Sequence, residues 1–292
     1  MTINASPIHR TKKSAPSSWV AWLGLAPFFI FGLAFELLPL LTVIQSSLMR
    51  KGLFTLEFYR QAMDPLFLRS FGNSIKLSAT TASLGVVFGT LVAYAIITTN
   101  NKFLRNALIA LSDVTTNFGG APLAFAFIVI LGSTGVITLI LKQIGIHLYP
   151  NFRIYSISGL TIAYLYFQLP LMILLIIPSL LGLKREWREA ALNLGASSFQ
   201  YWVRVALPIL FPSLMSGFLL LFANSFGAYA TAWTLTGSDV DLITIRIAAL
   251  IRGEVQLAPE LADALSIMSL LIMSACVVGY MWLSNRARRI RA

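Results

Sequence analysis

Six stretches of this chain are apolar enough, and long enough, to cross a bilayer, and that leaves few folds open. They run from about Trp19 to Ser46, Ile75 to Thr99, Ala107 to Leu131, Ser156 to Leu181, Ile209 to Leu235 and Leu265 to Leu283. A helix crosses the ~30 Å hydrocarbon layer in about 20 residues. With no water there, each backbone polar group must be satisfied within the segment itself. The expectation is an all-α, polytopic membrane bundle of six transmembrane helices. Composition agrees: 57% of the 292 residues are hydrophobic and 11% charged, and the mean hydropathy is +0.79.

A formal net charge of +11 could point to nucleic acid, but the placement of the charge excludes that reading. Lys and Arg cluster at the ends of the apolar stretches, with about thirteen on one side of the membrane and about nine on the other or at helix ends there. The richer side is expected to be cytoplasmic, which places both termini inside. Residues 1–17 read as a polar cytoplasmic tail and 286–292 as a basic one, with residues 18–285 forming the membrane domain between them. Arg10, Lys12 and Lys13 precede an apolar run with no cleavage site after a short core, so an uncleaved anchor is expected, with Trp19 and Trp22 at the inner interface.

The longest polar interruption joins the fourth and fifth spans: KREWREAALNLGASSFQYWVRVALPILFP, from Lys184 to Pro212. Glu186 and Glu189 suit the first turn of a short helix. Ala190, Ala191 and Leu194 give it a small apolar face, and Gly195 is placed to end it. Ser197 and Gln200 have capping-box spacing for a second helix, which Pro208 is expected to limit. A helix–glycine–helix loop follows.

These residues carry a resemblance. Glu189-Ala190-Ala191, Gly195, Val205 and Leu207-Pro208 resemble the EAA motif of membrane subunits of binding-protein-dependent ABC importers (the MetI-like, type I permeases), departing from it only where Val205 replaces isoleucine. The runs FGGAPLAFAFIVILG, AYLYFQLPLMILLIIPSL and NSFGAYATAWTLTG are similar to the spermidine/putrescine-type group of that family. The resemblance implies that loop 184–208 docks on a cytoplasmic ABC ATPase and that a second permease subunit, by preference a different chain, completes the path. It also implies an extracytoplasmic substrate-binding protein that delivers a small solute, and residence in a bacterial inner membrane. A polyamine or related organic solute is the first expectation, with phosphonate, thiamine and iron chelates remaining open.

Polar residues inside the spans are candidates for the path: Asp113, Thr116 and Asn117 before Gly119-Gly120-Ala121-Pro122, then Gln168 in the fourth span and Asn224, Ser225 and Tyr229 in the fifth. The blander reading, hydrogen bonding within and between helices, stays open for each of them. Glu36 either faces the path or snorkels to the outer headgroups, the second being preferred. Gly85 and Gly89 have the spacing of a close helix contact. Residues 50–73 read as an amphipathic helix lying on the outer surface, with Leu56, Tyr59 and Met63 at helical spacing beside Glu57, Arg60 and Asp64, and residues 136–143 as another. The relatively acidic segment 236–262 reads as an outer loop.

No GxxxxGK[ST] phosphate loop occurs, so ATP binding would belong to another chain. No metal-ligand constellation, cofactor motif or catalytic nucleophile–base pair is expected, and the chain is not read as an enzyme. A secondary transporter working without an ATPase is the competing class. It would need an ion relay, for which the intramembrane acids are too isolated.

Overall fold

The computed structural model describes residues 18–254 and 257–291, with side chains from 25 to 285. The N-terminal tail, the side chains of the C-terminal tail and the interfacial roles of Trp19 and Trp22 lie outside what it describes; the backbone of residues 286–291 continues the last helix. Six candidate membrane spans are present among the described residues: Leu25–Leu48, Pro65–Thr98, Gly120–Gln143, Ile157–Leu181, Ser198–Phe226 and Pro259–Asn285. The number matches expectation; several boundaries do not.

The first span is α1 (Ser18–Gly32), a π-helical turn (Leu33–Leu37) and α2 (Leu38–Leu48). The turn sits just before Pro39, with the Leu38 N–H bonded to the Leu33 carbonyl five residues back. Proline has no N–H to give, and its ring would crowd the carbonyl four residues earlier; one widened turn shifts that carbonyl aside while the helix continues. The side chains of this span are largely exposed, as expected where lipid is the solvent.

Residues 49–54 form a hairpin of β1 (Met49–Arg50) and β2 (Leu53–Phe54), turned at Lys51 and Gly52 with φ of 52° and 82°. This hairpin and α3 (Glu57–Ala62) replace the single amphipathic helix expected over 50–73. On α3 the inward residues are Phe58 and Ala62, while Leu56 and Met63 are exposed. Asp64 caps α4 (Pro65–Thr98) by accepting from Leu66 N at 2.8 Å. The second span thus starts ten residues before the expected Ile75.

Helix α4 packs against α8 (Ile157–Leu181) through the two predicted glycines. A Cβ on Gly89 would stand 2.7 Å from Met172 Cβ and 3.2 Å from the Leu169 carbonyl oxygen; one on Gly85 would stand 2.7 Å from Leu221 Cδ2. At Gly89 only a bare backbone allows this approach. Buried residues of α4, α8, α11 and α14 form the larger core cluster, which includes Ala93, Met172, Ile176, Leu210 and Leu221.

The expected third span is two helices. Asn101 caps α5 (Lys102–Thr116), which lies against α8; the chain breaks at 117–119 and restarts as α6 (Gly120–Leu131). The apolar segment of crossing length runs on through a turn into α7 (Val136–Gln143), so 136–143 belongs to that segment.

After α8 come α9 (Arg185–Asn193), α10 (Ser198–Tyr201), a second π turn (Trp202–Ala206) and α11 (Leu207–Phe226). Pro208 does not end the second loop helix as expected. The π turn just before it, with Leu207 N bonded to the Trp202 carbonyl, carries the helix straight into the fifth span. That span in turn stops at Phe226, and α12 (Tyr229–Thr236) is separate. The expected outer loop contains α13 (Ile243–Arg252), whose Ile243, Ala249 and Leu250 are buried. Asp241 anchors it: one carboxylate oxygen accepts from Ser70 Oγ at 2.7 Å and from Arg246 Nε at 2.6 Å. Helix α14 (Pro259–Arg291) packs against α11, α2 and α13.

Candidate functional site

Two helix breaks meet. The gap between α5 and α6 faces the gap between α11 and α12, and Thr231 joins them: its hydroxyl accepts from Gly120 N at 3.0 Å and donates to Gly120 O at 3.3 Å. Buried Tyr164 donates to the Ala228 carbonyl at 2.6 Å, satisfying a group that the break at Gly227 leaves free. Between the breaks is a concavity of about 620 Å³ whose wall includes Thr116, Asn117, Gly120, Asn224, Tyr229 and Thr231. Its lining carries no charged side chain. Peptide groups, amides and hydroxyls on its wall are hydrogen-bonding groups without a fixed counter-charge.

Four of the seven path candidates, Thr116, Asn117, Asn224 and Tyr229, come together on this wall, although they derive from two different spans. The other three lie elsewhere. Asp113 is exposed on α5, where its backbone carbonyl accepts from Asn117 Nδ2 at 3.0 Å. Gln168 is fully buried between helices and donates to the Leu221 carbonyl at 2.7 Å. Ser225 is buried and shares a 2.9 Å hydrogen bond with Thr81 Oγ1 of α4. Glu36 is exposed within the first π turn. Thr231 was missed by sequence reasoning; its offset of three from Ala228 and its place just after a Gly-Ala break were the available signals. Above Tyr229 and Trp233, which stack at 6.2 Å, sits the Arg252 guanidinium, 5.7 and 5.2 Å from the two rings.

The second feature is loop 184–208. Helix α9 buries none of its residues. Gly195 follows it at φ +81°, with Ala196 N bonded to Ala191 O at 3.0 Å and Gly195 N to Leu192 O at 2.9 Å; this pair of bonds is a Schellman ending. The Ser197–Gln200 capping box is formed in both directions, at 2.8 and 3.2 Å. Glu189 accepts from Arg185 at 2.8 Å on the exposed face, an i,i+4 pair worth about 0.3–0.5 kcal/mol at most. Ala190 is exposed beside half-buried Ala191, and Leu194 and Phe199 stand 89% and 76% exposed. Val205 is half-buried, and Leu207 and Pro208 are exposed at the start of α11. This is a preformed, partly apolar knob that no other described residue covers.

Comparison with known proteins bears on both features. The family model for binding-protein-dependent transport system inner membrane components matches residues 85–291. A probable sulfate transport system permease of Prototheca wickerhamii is 30% identical over 178 residues, covering 60% of this chain and 66% of that one. The spermidine/putrescine permease PotB of Haemophilus influenzae is 28% identical over 226 residues, covering 75% and 79%. A chain of a bacterial ABC transporter that imports alginate has a TM-score of 0.69 at 18% identity, over 94% of this chain and 96% of that one, which shows a shared fold.

Proposed function

The chain belongs to the family of binding-protein-dependent transport system inner membrane components, multi-pass permeases of ABC importers and not enzymes, and from that premise we propose how its two features divide the work. Loop 184–208 receives a cytoplasmic ABC ATPase, with Glu189, Ala190, Ala191, Gly195, Val205, Leu207 and Pro208 forming or positioning the contact. The concavity between the two helix breaks, with Thr116, Asn117, Asn224 and Tyr229 on its wall, is this chain's share of the path. A second permease subunit supplies the facing half, and an extracytoplasmic binding protein delivers the solute. Both termini lie in the cytoplasm of a bacterium whose inner membrane holds the assembly.

The observation that carries the coupling role is the exposed loop. A helix that buries nothing, followed by leucine and phenylalanine in the open, costs free energy unless another surface covers it. Its glycine turn and capping box fix its shape in advance, so docking need not order it.

For the solute, a polyamine or related organic molecule remains our reading, supported by the similarity to PotB. The uncharged lining means that a polycation would draw its selectivity from the binding protein and the second subunit. The similarity to a sulfate permease supports an oxyanion as the second reading. Uptake into vesicles carrying the complete importer, with labelled spermidine and labelled sulfate each challenged by the other solute unlabelled, separates the two. Spermidine uptake that is ATP-dependent and indifferent to sulfate supports the first; ATP-dependent sulfate uptake with no spermidine signal removes it.

A further inference from the structure

A separate concavity of about 210 Å³ lies where α4 and α8 end and the loop begins, walled by Tyr94, Leu183, Lys184, Arg185, Arg188 and Trp202. Three cations line it, and no carboxylate does. Arg185 is held by Glu189 at 2.8 Å, and Lys184 Nζ rests 5.7 Å from the Trp187 ring. Arg188 has no ion pair among the described residues. The floor is aromatic: Tyr94 and Trp202 meet edge to face with centroids 5.0 Å apart, beside buried Tyr201. Next to it, Leu181 at the end of α8 is 66% exposed, an apolar surface at the membrane boundary.

Charge counting narrows the ligand. The C-terminal ends of α4 and α8 each present about half a negative charge. Three cations and about half a positive charge from the start of α9, less the Glu189 carboxylate and about one unit from the ends of α4 and α8, leave about one and a half positive charges. A monoanion offsets most of this, in a neighbourhood that is part apolar. We propose that this pocket binds the phosphodiester of an anionic lipid headgroup of the phosphatidylglycerol class. Lys184 and Arg188 hold the phosphate, Tyr94 and Trp202 pack along the glycerol, and the acyl chains follow Leu181 into the bilayer. Basic pockets between helices at a membrane face have this chemistry, and interfacial tryptophan and tyrosine suit the headgroup level. The site lies at the root of the loop but does not depend on the loop's contact with an ATPase.

The test uses the intact importer, stripped of lipid in detergent and titrated with phosphatidylglycerol, phosphatidylcholine and glycerol 3-phosphate while bound lipid is counted by native mass spectrometry. Phosphatidylglycerol is expected to be retained in preference to phosphatidylcholine. Lys184→Gln and Arg188→Gln should each weaken it about fivefold, the worth of one basic residue near an anionic surface, and Arg188→Lys should keep most of the binding. Competition by glycerol 3-phosphate would assign the site to a soluble phosphate ester with the same anion chemistry; its absence assigns it to lipid. Equal retention of both lipids by the native assembly overturns the proposal, as does unchanged phosphatidylglycerol binding in either Gln variant. Preference in the native assembly decides the matter even where a variant does not assemble. Because the readout is lipid count, it can fail while ATPase association persists, and the reverse.

Discussion

Replacing Gly195 separates the shape of the loop from the identity of the residue at its turn. The backbone there has φ +81°, and no other atom lies within 4 Å of the place where a Cβ would stand. Space is therefore not the constraint. What a side chain meets is the left-handed conformation itself, which costs an L-residue about 1–2 kcal/mol, least for asparagine and most for a β-branched side chain. Expressed wholly in docking, that lowers the fraction of correctly turned loop, and with it the ATPase affinity, by about 5- to 30-fold for Gly195→Val. Gly195→Asn should stay within about threefold of the native chain, and Gly195→Ala should fall between. The measurement is association of the purified ATPase with the permease pair in nanodiscs, followed by the ratio of solute moved to ATP hydrolysed. Membrane insertion should be unchanged in all three. If Asn harms association as much as Val, the turn conformation is not what matters and the reasoning fails; if Val binds like the native chain, the coupling role itself is in doubt.

Other substitutions probe the packing and the cavity. Gly89→Ala should destabilise by about 2–3 kcal/mol, because Met172 Cβ and the Leu169 carbonyl cannot move without separating two helices. Gly85→Ala should come out near zero, since the Leu221 methyl it meets can rotate and alanine gains about 1 kcal/mol in a helix; thermal unfolding in detergent compares them, and equal losses would refute the contact geometry. Gln168→Met removes one hydrogen bond and one buried, unpartnered Oε1, so stability should change by less than about 1 kcal/mol with uptake intact. A tenfold fall in uptake at unchanged stability would place Gln168 on the path after all. Thr231→Ala should cost about 1–2 kcal/mol and reduce uptake by freeing the two breaks from each other, while Thr231→Ser restores both; an inert Thr231→Ala would show that the breaks hold without their link.

What could be read in advance was whatever the chain spells out locally. The Ser197–Gln200 box, the Gly195 turn and the Gly85–Gly89 contact each depend on residues a few positions apart, and all three are formed. The break after α5 was legible because Gly119-Gly120-Ala121-Pro122 cannot continue a helix unaltered. Its counterpart at Gly227 was not: one glycine in NSFGAYATAW is as common inside a membrane helix as at its end, and only the opposing α6 decides. Helix α13 was hidden by the acids around it, Asp239, Asp241 and Glu254, which made the segment read as an outer loop. Yet Ile243, Ile247 and Leu250 keep the spacing of one helix face, and that signal was available. Pro208 misled because a single π turn removes the obstacle a proline normally makes. The cavity wall needed three dimensions, since a polar residue in a membrane span packs or lines a cavity according to which neighbour it faces; Asn224 and Ser225 are adjacent in sequence, yet Asn224 lies on the cavity wall and Ser225 bonds to Thr81 of α4.

Residues 198–226 have a further mechanical meaning. They form one helical run of α10, the π turn and α11 without a loop between them, so Ser198 at the knob and Asn224 on the cavity wall are about 39 Å apart along the helix path. Its weak points are the π turn at 202–206 and Pro212, which has no N–H to give to the helix ladder. On the proposed coupling role, a displacement of the knob reaches the chamber through this one helix, and the stretch beyond Pro212 carries it over the last turns to Asn224.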